Sequence, residues 1–116
     1  MKRIPDSYKV GGQTMQVLQV ERCEDNALGQ CYVSAGWVKI ADKINTYDTQ
    51  SETSKVNTFY HELVHSILKT MCEDKLNENE KFVCCFASFL CEAMSEARFP
   101  GGDSELELLM TKERRV

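Results

Sequence analysis

The spacing of apolar residues changes once along this chain, near Ser51, and that change limits the fold more than any other feature. Before it, apolar and polar positions alternate. Tyr8-Lys9-Val10 and Thr14 to Val20 flank Gly11-Gly12, a pair that tolerates positive φ, and Met15 and Val17 alternate with Gln16. Leu28 to Val33 and Trp37 to Ala41 are rich in aromatic and β-branched residues and are separated by Ser34-Ala35-Gly36, with glycine where a left-handed conformation is usually needed. Two hairpins, and so a small antiparallel sheet, are expected. From Ser51 the period becomes 3.6: Val56, Phe59, Tyr60, Leu63, Val64, Ile67, Leu68 and Met71 form one broad stripe on a helix of about five turns. Glu73 to Asn77 is polar and interrupts it, after which Phe82, Val83, Phe86, Phe89, Leu90, Ala93 and Ala97 resume a helical stripe. The expected class is α+β, with two hairpins packed beside two main helices.

The chain has 116 residues, enough for one compact domain. Pro100-Gly101-Gly102 closes that domain at residues 1–99, leaving 100–116 as a tail or a short helix whose acids come early and whose bases come late, as the helix dipole favours. No apolar run approaches the roughly 18 residues of a membrane span, and the first six residues lack the apolar core of a signal peptide. A cytoplasmic location without membrane contact is therefore expected. Net charge is -4, which disfavours nucleic acid as a partner. None of the six cysteines forms a CxxC pair, so reduced thiols are expected rather than a disulfide framework or a cysteine-only zinc site.

Both histidines of the chain fall in Tyr60-His61-Glu62-Leu63-Val64-His65-Ser66. Residues four apart on a helix share a face, so His61 and His65 can converge on one ion, as tetrahedral zinc requires. Glu62 is turned about 100° from His61, which keeps it off the metal and beside the position of a bound water. A carboxylate there can accept the proton of an activated water and return it to a leaving amine. Without a metal, the same string would be a helix that carries two histidines.

Two histidines leave zinc one protein ligand short of the usual three plus water. The sequence supplies no third histidine, and Glu80 is the leading candidate: it opens the second helix, with Cys84, Ala87 and Cys91 following on its face. The competing assignment makes Asn77 the N-cap of that helix and Glu80 its third residue, a capping box that needs no metal. Glu78 is the neighbouring alternative ligand. Tyr32, Tyr47, Tyr60, Lys69 and Arg98 are the residues chemically able to stabilise an oxyanion, and nothing in the sequence chooses among them.

The stretch from Thr58 to Leu68, followed by Leu76-Asn77-Glu78-Asn79-Glu80-Lys81-Phe82-Val83 and Phe86-Ala87, resembles the small phage and prophage HExxH metallopeptidases, minimal gluzincins similar in their core to the ImmA/IrrE peptidases. Tyr8 to Gln13 and Leu28-Gly29-Gln30 extend the resemblance to nearly everything before Ala97. It implies one zinc ion on His61, His65 and Glu80, a short antiparallel sheet beside two helices, and Glu62 as general base. It also exposes two departures. Cys84 stands where gluzincins often carry an acid or amide that orients a ligand histidine, and Cys91 stands near the position of a further histidine in relatives.

The expected function is zinc-dependent hydrolysis of peptide bonds in a protein or peptide substrate, by analogy laid along a sheet edge. The alternative is a zinc-stabilised, catalytically weak or inactive protein-binding module of phage origin. Glu62 separates the two, since a purely structural zinc has no use for a carboxylate beside an open position. A thiol redox sensor built on Cys84-Cys85 is a third, weaker reading, because adjacent helical residues point apart and only Lys81 is near enough to lower a thiol pKa.

Overall fold

The computed structural model describes residues 4–100; the tail expected beyond Pro100 lies outside the described residues. Strands β1 (Ser7–Val10) and β2 (Gln13–Val20) form the first hairpin, and β3 (Gly29–Tyr32) and β4 (Trp37–Ala41) the second. Gly11 and Gly12 sit at φ +57° and +82°, the left-handed pair that a two-residue turn matched to strand twist demands. Helix α1 spans Glu52–Thr70; the polar interruption after it folds as a five-residue helix, α2 (Asp74–Glu78), rather than as a bare loop, and α3 spans Glu80–Glu96. Among the described residues no helix is long and apolar enough to cross a membrane.

The strand order is β1-β2-β4-β3, and β2 and β4 pair in parallel, with Gln16 opposite Trp37 and Val20 opposite Ala41. The sheet is therefore mixed. Its two hairpins are antiparallel, as expected, but the seam that joins them is not. The connection after β2, which includes a 3-10 turn at Glu24–Asn26, carries the chain past the β4 position so that β3 forms the outer edge and β4 returns into the middle. Hairpin signals are local and carry no information about which strands meet between hairpins.

Alternation sends Met15, Val38 and Ile40 to one face, where with Ile4 they bury against Val56 and Phe59 of α1. The other flank of α1 offers Val64 and Leu68 to Val83 and Ala87 of α3. Full burial of each such aliphatic or aromatic side chain is worth about 1.5–3 kcal/mol, and α1 collects this on both sides. Polar contacts set its position. Ser51 caps its first turn by accepting from the Ser54 amide at 3.1 Å. Gln50, fully buried, donates to the Ala41 carbonyl at 2.6 Å and accepts from Ser54 Oγ at 2.7 Å and Thr58 Oγ1 at 2.8 Å, which fastens the start of α1 to the end of β4. The Tyr8 hydroxyl meets Ser66 Oγ at 2.8 Å, tying β1 to the C-terminal part of the helix.

A left-handed residue closes α1 and reverses the chain. Cys72 sits at φ +61°, and the Glu73 amide reaches back to the Leu68 carbonyl at 2.9 Å, a Schellman-type stop made without the usual glycine. From this reversal α2 returns alongside the last turns of α1.

Candidate metal centre

His61 and His65 project from adjacent turns of α1, and their Nε2 atoms lie 3.2 Å apart. Glu80, the first residue of α3, points its carboxylate between them: Oε2 is 3.4 Å from His61 Nε2 and Oε1 is 3.3 Å from His65 Nε2. Ligand atoms on a tetrahedral ion with bonds of about 2.0–2.1 Å stand about 3.3 Å from one another. The two imidazole nitrogens match that spacing, and each has a different Glu80 oxygen at about the same distance. Taken one ligand atom per residue, the three atoms lie within 4.8 Å of one another, and His61, His65 and Glu80 form a group that could hold a metal ion.

What orients the imidazoles differs between the two. His65 Nδ1–H donates to Asn77 Oδ1 at 2.6 Å, which leaves the Nε2 lone pair directed at the shared centre. Asn77 belongs to α2 and is not the N-cap of α3; that position is held by Asn79, whose Oδ1 accepts from the Phe82 amide at 3.0 Å. The competing assignment, a capping box of Asn77 and Glu80, is thus replaced by a division of labour, with Asn79 closing the helix and Asn77 holding a histidine. His61 Nδ1 faces the Cys84 thiol at 3.8 Å, a long contact to a weak partner. Burial lowers the His61 pKa, the neighbouring His65 lowers it further, and Glu80 opposes both. Glu78 ends α2 and takes no part in the group.

Glu62 is 7% exposed and lies under the edge strand. Burial pushes its carboxyl up to about 7, with His65 pulling it down and Glu80 pushing it up. The strand can come this close because Gly29 has no side chain: a Cβ there would stand 2.6 Å from Thr58 Cγ2 and 3.1 Å from Glu62 Cγ. Thr58 cannot turn aside without breaking its bond to Gln50. Cys31, two residues along the same strand, has its thiol pushed up to about 12 by burial and then by the charge of Glu62. All six cysteines are free.

A cleft of about 520 Å³ opens over this arrangement, between Glu62, His65 and Lys69 of α1, Asn77 of α2, and the edge strand with its succeeding turn from Cys31 to Ser34. Of the residues able to stabilise an oxyanion, Tyr32 and Lys69 line the cleft, whereas Tyr47, Tyr60 and Arg98 do not. Tyr60 packs between the two apolar clusters, and Tyr47 projects from a loop at 91% exposure. Sequence reasoning missed Asn77 and Gly29 as parts of the site. The only available signals were an amide in the link between the helices and a glycine at the head of a strand.

Comparison with known proteins finds no family model that matches, no match among curated proteins and no match among solved structures.

Proposed function

We propose that this protein is a zinc-dependent peptidase that hydrolyses peptide bonds in a protein or peptide substrate bound in the cleft beside β3. The observation that carries the reading is the convergence of His61, His65 and Glu80, whose single ligand atoms lie within 4.8 Å of one another, with a buried carboxylate on the residue after His61. Two imidazoles and one carboxylate are a donor set suited to zinc with an open fourth position. Zinc held there supplies Lewis acidity and an acidified water.

The remaining chemistry belongs to the chain. Glu62, buried and next to His61, is placed to accept a proton from water at that position and to release it to a leaving amine. Asn77 keeps His65 in one tautomer and one rotamer throughout. The free edge of β3 offers a template for an extended substrate. Leu28 and Ala41 form a hydrogen-bonded pair, since the Ala41 amide donates to the Leu28 carbonyl, and in an antiparallel ladder such pairs alternate. Gly29 and Cys31 are therefore the residues whose N–H and C=O groups point away from β4, towards the side where a peptide can add as a further strand.

The test compares three variants with wild type. Glu62→Gln is expected to keep zinc and fold and to lose peptide hydrolysis by about two to four orders of magnitude. His61→Ala loses the metal. Glu80→Gln weakens zinc by about ten-fold or more in competition with a chelator, because an anionic ligand becomes neutral while the Asn79 cap is untouched. Hydrolysis that survives in Glu62→Gln would remove the carboxylate from its role. The alternative, a zinc-stabilised module that binds a protein without cutting it, draws on the loose Cys84 contact to His61 and would be established by tight zinc binding with no cleavage of a diverse peptide library.

A further inference from the structure

We infer that Lys69 selects substrates bearing a carboxylate one or two residues from the bond that is cut. This rests on the peptidase reading above and names the substrate class of that site. Among the described residues Lys69 is the only lysine or arginine lining the cleft. It stands one helical turn beyond His65, about 6 Å along the axis of α1. Among the described residues no carboxylate forms an ion pair with its ammonium group.

The geometry converts this into a register. An extended peptide advances about 3.3 Å per residue, so for a substrate that runs along α1 the step of about 6 Å from His65 to Lys69 corresponds to about two residues. The opposite wall at this end is the turn after β3, where Val33 and Ser34 line the cleft and add no charge of either sign. The Asn77 amide oxygen is already engaged by His65. A substrate carboxylate arriving there meets a three-donor cation and no competing acid from the strand wall, whereas a basic side chain meets like charge. Lys69 also stands in the last turn of α1, where a cation complements the helix dipole. That role alone would leave cleavage preferences unchanged when the residue is replaced.

The carboxylate can come from an aspartate or glutamate side chain or from the C-terminus of the substrate, and the assay separates these sources. Zinc-loaded protein is incubated with random-sequence dodecapeptides, N-acetylated and carrying either a free or an amidated C-terminus, and the cut sites are sequenced by mass spectrometry. Wild type is expected to enrich acidic residues within two positions of the cut by about ten-fold, the size of a charge-assisted hydrogen bond. Lys69→Gln abolishes that enrichment, and Lys69→Glu turns it towards lysine and arginine. If cutting is instead confined to within two residues of the C-terminus and amidation suppresses it, the terminal carboxylate is the group read. Binding of the same peptides to zinc-loaded Glu62→Gln, with and without Lys69→Gln, provides a readout independent of turnover and should show the same preference. Identical cut-site profiles in wild type, Lys69→Gln and Lys69→Glu overturn the assignment while leaving the peptidase intact. A wild type that cuts nothing overturns the peptidase reading, and the substrate assignment with it.

Discussion

Replacing Asn77 and Asn79 one at a time gives the sharpest test of how the site is held, because the two amides lie two residues apart and have different partners. Asn77 Oδ1 accepts from His65 Nδ1 at 2.6 Å, whereas Asn79 Oδ1 accepts from the Phe82 amide at 3.0 Å. In Asn77→Ala the imidazole loses the partner that fixes its ring and tautomer, which costs about 10- to 100-fold in metal affinity. That is about 1.4–2.8 kcal/mol, since each tenfold step is worth about 1.4 kcal/mol. Stability of the metal-free protein should change little, because α3 keeps its cap. Asn79→Ala should do the reverse, with a loss of about 1 kcal/mol in stability from the lost N-cap and metal affinity near wild type. Asn77→Asp keeps an acceptor at the same place and adds charge, so the imidazole becomes a stronger donor and affinity should equal or exceed that of wild type. Competition against a chromophoric chelator measures the first quantity and urea unfolding under chelating conditions the second. If Asn77→Ala loses stability and retains its metal affinity while Asn79→Ala does the opposite, Asn77 is the cap and does not orient His65.

The packing sets three further outcomes. Gly29→Ala forces a Cβ to within 2.6 Å of Thr58 Cγ2 and 3.1 Å of Glu62 Cγ, so it should cost about 1–3 kcal/mol in urea unfolding and depress hydrolysis more than zinc binding. Cys72→Gly relieves a left-handed conformation at φ +61° and should stabilise the chain by about 1 kcal/mol, read as a higher urea midpoint; an unchanged or lowered midpoint refutes the strain argument. Burial pushes the Tyr8 hydroxyl up to about 12 from 10.0, against a smaller downward pull from Ser66. Because the folded pKa lies above the unfolded one, the associated stability is present below pH 10 and is lost as pH rises from 10 towards 12. Ultraviolet titration of tyrosinate should show a late fraction that disappears in Tyr8→Phe.

The α+β class, both hairpins, both long helices and the residues that meet at the candidate metal centre were legible because each rests on short-range patterning. Gly11-Gly12 marks a turn through its own φ values, the stripe from Val56 to Leu68 marks a helix through its own period, and His61, Glu62 and His65 take their relative directions from helix geometry alone. Glu80 was reachable as the acid that opens the next helix, although the sequence left a capping role open to it as well.

Everything that turns those residues into a site comes from segments distant along the chain, and only the tertiary structure decided it. Periodicity says that strands pair but not in what order, so the parallel seam between β2 and β4 and the exposure of β3 as an edge lie beyond it. Asn77 was a candidate cap because it precedes Glu80 by three residues. It reaches His65 instead because the left-handed Cys72 reverses the chain and a short helix returns the amide to α1. Gly29 fell inside the expected strand from Leu28 to Val33, and its meaning lies in Thr58 and Glu62, about thirty residues away, against which only a bare backbone fits. Local propensity acts over one or two turns, whereas ligand orientation, burial of a carboxylate and the walls of a cleft depend on which surfaces the collapsed chain brings into contact.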